Sequence, residues 1–147
     1  MTQASPTFEG GRGPALPARL LALLVLGAWS IVVPYVGPAV GLRLDVRPTV
    51  EIVDHVVPGA VVLAAGMSLL LILRSATSRP SSLLVPALAG VAFLAGFWML
   101  STHVPLLVQS GRDLAPWGAA FHKTPGAAVT ALSLWLLLLE LRGGEGQ

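Results

Sequence analysis

Four apolar runs without a single charged residue constrain this chain more than any other feature. They cover residues 20–40, 56–73, 83–100 and 125–139. Each run is close to the ~20 residues that a helix needs to cross a hydrocarbon core of ~30 Å. The runs lack the period-two alternation of membrane strands. The sequence therefore predicts an all-α membrane protein with four transmembrane helices.

The charge content supports lipid as the solvent of this chain. Charged residues make up 11% of the 147 residues, whereas a soluble domain carries about 25%. The nine Lys and Arg residues do not cluster, so we expect no nucleic-acid partner. The chain contains no cysteine, which excludes disulfides, thiolate metal sites and thiol nucleophiles. The lipid bilayer is therefore the first partner that the sequence predicts.

A short motif occurs twice and predicts an internal repeat. Residues 55–62 read His-x-x-Pro-Gly-Ala-x-Val, and residues 122–129 repeat this pattern 67 positions later. Pro48 and Pro116 precede the two copies and can each begin a short helix. In the first copy, Pro58 should kink the chain where the span begins. The spacing predicts two tandem helical hairpins.

The domain boundaries follow from this repeat and from the composition of the two ends. We predict a transmembrane domain over 18–141, with repeat 1 at about 20–74 and repeat 2 at about 83–141. Residues 1–17 are rich in Gly and Pro and predict a disordered tail. Residues 142–147 predict a short flexible tail.

The first apolar run and the basic residues predict the topology. Arg12 and Arg19 before the run also suit a secretory signal peptide, but only a poor cleavage site follows, at 39–41, which favours an uncleaved span. Four spans leave both tails on one side of the membrane. The tail side carries five basic residues and the other side four, which favours tails in the cytoplasm.

Small residues four apart predict close contacts between helices in lipid. We expect two of three such pairs to lie at helix contacts. The pairs are Ala60 with Ala64, Ala92 with Gly96, and Ala127 with Ala131.

The end of the first span resembles a known family. Residues 26–37 read Leu-Gly-Ala-Trp-Ser-Ile-Val-Val-Pro-Tyr-Val-Gly, and residues 96–98 repeat the Gly-x-Trp element. The chain is similar here to the SPW-repeat family of small bacterial membrane proteins. It departs from that family at 33–35, where Val-Pro-Tyr replaces Ser-Pro-Trp, and again at 101–105. The resemblance implies a tandem two-hairpin membrane protein and carries no established chemistry.

The three histidines are the candidate ligands of this chain. His55, His103 and His122 are all predicted near one side of the membrane. One hypothesis is that His55 and His122 ligate a metal ion or haem near the outer surface, with His103 as a further candidate. The competing interpretation is that histidine, half apolar and half polar, suits a membrane interface and caps a helix start beside a proline. Neither a cofactor nor a catalytic residue is assigned.

The rest of the sequence offers no reaction. The spans carry no ionisable residue, which argues against an ion path, and no nucleophile elbow or phosphate loop is present. Trp29, Trp98, Trp117 and Tyr35 suit interface anchors. We expect a non-enzymatic structural or accessory component of a bacterial plasma membrane, with another membrane protein or a second copy as partner. The alternatives are a haem- or metal-binding redox subunit and a small oligomeric transporter.

Overall fold

The structure is a computed structural model that describes residues 15–36, 39, 48–75, 83–104 and 116–144. The helical elements in chain order are α1 (Ala15–Val36), α2 (Pro48–Glu51), a π-helical turn (Ile52–Val56), α3 (Val57–Arg74), α4 (Leu84–Thr102) and α5 (Pro116–Gly144).

Four stretches of these helices are long and apolar enough to cross a membrane: Leu16–Val36, Ile52–Arg74, Leu84–Thr102 and Thr124–Arg142. The prediction of an all-α protein with four membrane-spanning helices is confirmed. The part of the chain that the structure describes contains no strand.

The ends of the helices differ from the sequence prediction in two places. Helix α1 begins at Ala15 and α5 runs to Gly144, so both helices include residues that were assigned to the tails. Residues 1–14 and 145–147 of those tails lie outside the described residues. Helix α5 also continues through Pro125, as prolines are tolerated in membrane helices.

The π-helical turn lies where the sequence predicted a kink. Pro58 has no N–H to donate to the carbonyl of Asp54, and its ring crowds that carbonyl. The backbone adopts the wider π-helical turn over Ile52–Val56, and α2, this turn and α3 follow one another without a break. The turn sets the direction of His55, which lies within it.

The four spanning helices form a closed ring. Helix α1 packs against α3 and α5, and α4 packs against the same two helices. Small and aliphatic side chains such as Leu23, Val62 and Ala92 fill the interior and are fully buried. Large apolar side chains face outward, Leu21 and Leu94 among them. A bundle surrounded by lipid requires an apolar exterior, whereas a surface helix of a soluble protein has a polar outer face.

Glycines bring the helices of each hairpin close together. A Cβ built on Gly27 of α1 would lie 3.1 Å from atoms of both Val62 and Leu63 of α3. A Cβ built on Gly96 of α4 would lie 2.7 Å from Val129 Cγ1 of α5. Val62 and Val129 occupy corresponding positions of the two predicted repeats. Both hairpins therefore use a glycine on the first helix to admit the second.

Only one of the three predicted small-residue pairs lies inside the chain. Ala92 and Gly96 are buried, whereas both alanines of each other pair, on α3 and α5, are exposed. On α3 the inner face is taken by Gly59, Val62 and Gly66 instead. The expectation that two pairs lie at helix contacts is therefore wrong within one chain. The outward pairs are Ala60 with Ala64 and Ala127 with Ala131.

A second contact joins α1 and α5 at the end of the bundle that carries the tails. The guanidinium carbon of Arg19 lies 4.4 Å from the ring centroid of Trp135. A cation at this distance over an indole is attracted by the negative face of the ring. The contact closes the ring of helices at the end opposite the histidines.

Candidate histidine site

Two histidines meet at one end of the bundle. His55 lies in the π-helical turn that leads into α3, and His103 directly follows the last residue of α4. Because α3 and α4 are neighbours that run in opposite directions, the start of one lies beside the end of the other. Both side chains are buried, with 2% of His55 and 4% of His103 exposed.

The two imidazole rings form a direct hydrogen bond. The Nε2 atoms of His55 and His103 lie 3.0 Å apart. The ring centroids are 4.7 Å apart and the ring planes are tilted by 60°. A hydrogen bond between two ring nitrogens requires that one nitrogen carry a proton and the other present a lone pair.

The other nitrogen of His103 determines which partner donates. Its Nδ1 lies 2.5 Å from the carbonyl oxygen of Met99 and 3.1 Å from Oγ1 of Thr102. A carbonyl oxygen only accepts, so Nδ1 carries the proton and donates it to Met99. The Nε2 atom of a neutral His103 then has the lone pair. His55 therefore donates its Nε2–H to His103.

Thr102 supports this arrangement from the same turn of α4. Its Oγ1 lies 3.2 Å from the carbonyl oxygens of both Trp98 and Met99, to which it donates. The hydroxyl oxygen remains available to accept from Nδ1 of His103. The ring of His103 is thus oriented by the last turn of its own helix.

The structure joins His55 to His103, which the metal hypothesis named as a further candidate. It does not test the pairing of His55 with His122. His122 lies on α5, and its side chain is outside the described residues. His55 and His103 are buried in the bundle, and the interpretation as membrane-interface residues stays a prediction. Within the described ranges, no group of three or more His, Cys, Asp or Glu side chains is assembled.

Hydroxyl groups inside the spans bond within their own helices. Ser30 donates to the carbonyl oxygen of Leu26 at 2.8 Å, and Thr130 donates to that of Gly126 at 2.7 Å. Ser133 donates to the carbonyl oxygen of its fourth preceding residue. These three hydroxyls therefore find their acceptors in their own helix backbone.

The predicted interface aromatics face outward where they are described. Trp29, Trp98 and Tyr35 are exposed, whereas the side chain of Trp117 lies outside the described residues. Sequence reasoning missed Trp135, which is exposed beside Arg19. The sequence feature that could have indicated Trp135 is its place near the end of the fourth apolar run.

The chain matches no family model, no curated protein and no solved structure. The resemblance to the SPW-repeat family therefore stays a prediction.

Proposed function

We propose that this protein is a non-enzymatic accessory component of a bacterial plasma membrane, with both tails in the cytoplasm. The observation that carries this proposal is the interior of the bundle at membrane depth. There the helices approach one another through glycines, and hydroxyls such as Ser30, Thr130 and Ser133 bond to their own helix backbones. Among the described residues, the buried interior holds no Asp, Glu, Lys or Arg side chain, and an ion or proton path usually needs such residues.

The outward alanine pairs on α3 and α5 support a lateral partner. The methyl side chains at these four positions allow the backbone of another membrane helix to approach closely there. Ala60 and Ala64 on α3 correspond to Ala127 and Ala131 on α5 in the predicted repeat. The partner class is another membrane protein or a second copy of the chain.

Cross-linking from single cysteines tests the partner, because the chain has no cysteine of its own. We expect a thiol-attached photocrosslinker at Ala64→Cys or Ala131→Cys to give one defined adduct in native membranes. The matched control is Leu94→Cys, which is also outward-facing but lies on α4. Identical adduct patterns at all three crosslinker positions would contradict a lateral partner on the alanine faces.

The same cysteine-free background tests the orientation of the chain. An impermeant maleimide should label Val104→Cys but not Ser75→Cys in intact cells.

Haem ligation between His55 and His103 does not fit the observed geometry. Two axial nitrogens bind the iron from opposite faces of the porphyrin and so lie about 4 Å apart. The Nε2 atoms here lie 3.0 Å apart in a direct hydrogen bond, and the rings leave no gap for a porphyrin. Of the alternatives in the sequence, only a bare metal ion is compatible with this pair.

A further inference from the structure

The separation of the two Nε2 atoms is close to that of two ligands on one metal ion. Two metal–nitrogen bonds of about 2.0–2.1 Å that meet at roughly 90–110° separate their nitrogens by about 2.9–3.4 Å. The Nε2 atoms of His55 and His103 are 3.0 Å apart. The observed distance therefore falls within the range for two nitrogen ligands on one ion.

We propose that His55 and His103 bind a divalent transition-metal ion of the zinc and copper class through their Nε2 atoms. Neutral imidazole nitrogens favour these ions, whereas Mg²⁺ and Ca²⁺ prefer oxygen ligands. This site goes beyond the accessory role, which does not depend on it.

The partners of His103 match those of a metal-binding histidine. Such a histidine almost always donates its second ring N–H to a carbonyl or carboxylate, which fixes the tautomer and the direction of the ring. Nδ1 of His103 donates to the carbonyl oxygen of Met99, with Oγ1 of Thr102 as a second acceptor. Nε2 of His103 is therefore already the lone-pair atom that a metal requires.

His55 reaches the same state by moving one proton. Without a metal, its Nε2–H donates to His103. When the ion binds, it takes the place of this proton at Nε2, and His55 changes tautomer so that Nδ1 of the same ring carries the proton. The imidazole stays neutral, two metal–nitrogen bonds form, and no electron is transferred.

The pair lies at one end of the bundle, where α3 begins and α4 ends. His55 precedes the first full turn of α3, and His103 follows the last turn of α4. The π-helical turn that carries His55 is also a type of element found frequently at functional sites.

Zinc titration of the whole purified chain tests the site. The protein is purified through a tag that contains no histidine, treated with a chelator, and titrated with Zn²⁺ in competition with a fluorescent zinc chelator. We expect one Zn²⁺ per chain. His55→Gln and His103→Gln should each weaken binding by more than ~100-fold, because even loss of an outer-shell partner weakens metal sites by about 10- to 100-fold.

Two further variants keep the test decisive. His122→Gln is the matched control, since it alters the remaining histidine of the chain and should retain the parental affinity. Thr102→Val removes one partner of Nδ1 and should weaken zinc binding by about 10-fold without changing the melting temperature, so it reports on orientation even where a ligand variant does not fold. Parental zinc affinity in folded His55→Gln or His103→Gln would overturn the proposal. Binding lost only in His122→Gln, or no stoichiometric zinc in the parent, would overturn it as well.

Discussion

Replacing Gly96 with alanine is expected to lower the free energy of unfolding by about 1–3 kcal/mol, the usual effect of overpacking a tight contact. The new methyl group would lie 2.7 Å from Val129 Cγ1 and 2.8 Å from the backbone nitrogen of Thr130. A backbone atom cannot move aside by a rotamer change, so α4 and α5 must separate. Equilibrium unfolding in mixed micelles, followed by circular dichroism, measures the effect.

Gly90 supplies the matched control on the same helix. A Cβ built there meets nothing within 4 Å. Gly90→Ala should therefore leave stability unchanged or raise it by up to ~1 kcal/mol, because alanine has the higher helix propensity. Equal effects of Gly96→Ala and Gly90→Ala would show that α4 and α5 do not approach each other at Gly96.

Replacing His103 alone with leucine is expected to destabilise the metal-free protein by about 1–3 kcal/mol, because it leaves the buried Nε2–H of His55 without its acceptor. The double variant His55→Leu, His103→Leu should recover much of this loss. Replacing both partners of a buried hydrogen bond by apolar groups can be nearly neutral. The same unfolding experiment, in the presence of a chelator, gives the coupling between the two positions.

Additive changes in the free energy of unfolding would contradict a direct bond between His55 and His103. If the two single variants and the double variant fit a simple sum, the histidines do not interact. His122→Leu should add its own effect to either variant without coupling to His55.

The spans were predictable because hydrocarbon thickness and the absence of charge determine them. The predicted run 56–73 corresponds to α3 (Val57–Arg74), and the run 83–100 corresponds to α4 (Leu84–Thr102). Arg74 directly follows the first of these two runs and limits how far α3 can slide through a membrane. The hydrogen bonds of Ser30 and Thr130 to carbonyl oxygens of their own helices were predictable for a similar reason, since a hydroxyl in lipid has few other acceptors.

The histidine pair was not predictable, because it depends on the order of helices around the ring. The repeat relates His55 to His122 by position in the sequence, but repeated positions need not be neighbours. Contact between α3 and α4 places His55 beside His103 instead. His103 follows α4 outside the repeated motif, so no periodicity indicated it. The π-helical form of the turn before Pro58 was also not predictable, and it sets the direction in which the His55 side chain points.

The outward alanines show a further limit of the sequence pattern. Spacing by four places two small residues on one helix face but does not say which face turns inward. On α3, Gly59 and Gly66 lie on the inner face, whereas Ala60 and Ala64 lie on the outer face. Only Ala92 and Gly96 satisfied both conditions.

Nitrogen NMR of the histidine rings tests the central claim most directly, which is that His55 and His103 share one buried hydrogen bond at the end of a four-helix membrane bundle. The chain has three histidines, so ¹⁵N-histidine labelling of the metal-free protein gives a spectrum of only six ring nitrogens. We predict a scalar coupling between one protonated and one unprotonated Nε2 that disappears in His55→Gln and in His103→Gln and persists in His122→Gln. Three uncoupled rings that exchange freely with solvent would contradict the account.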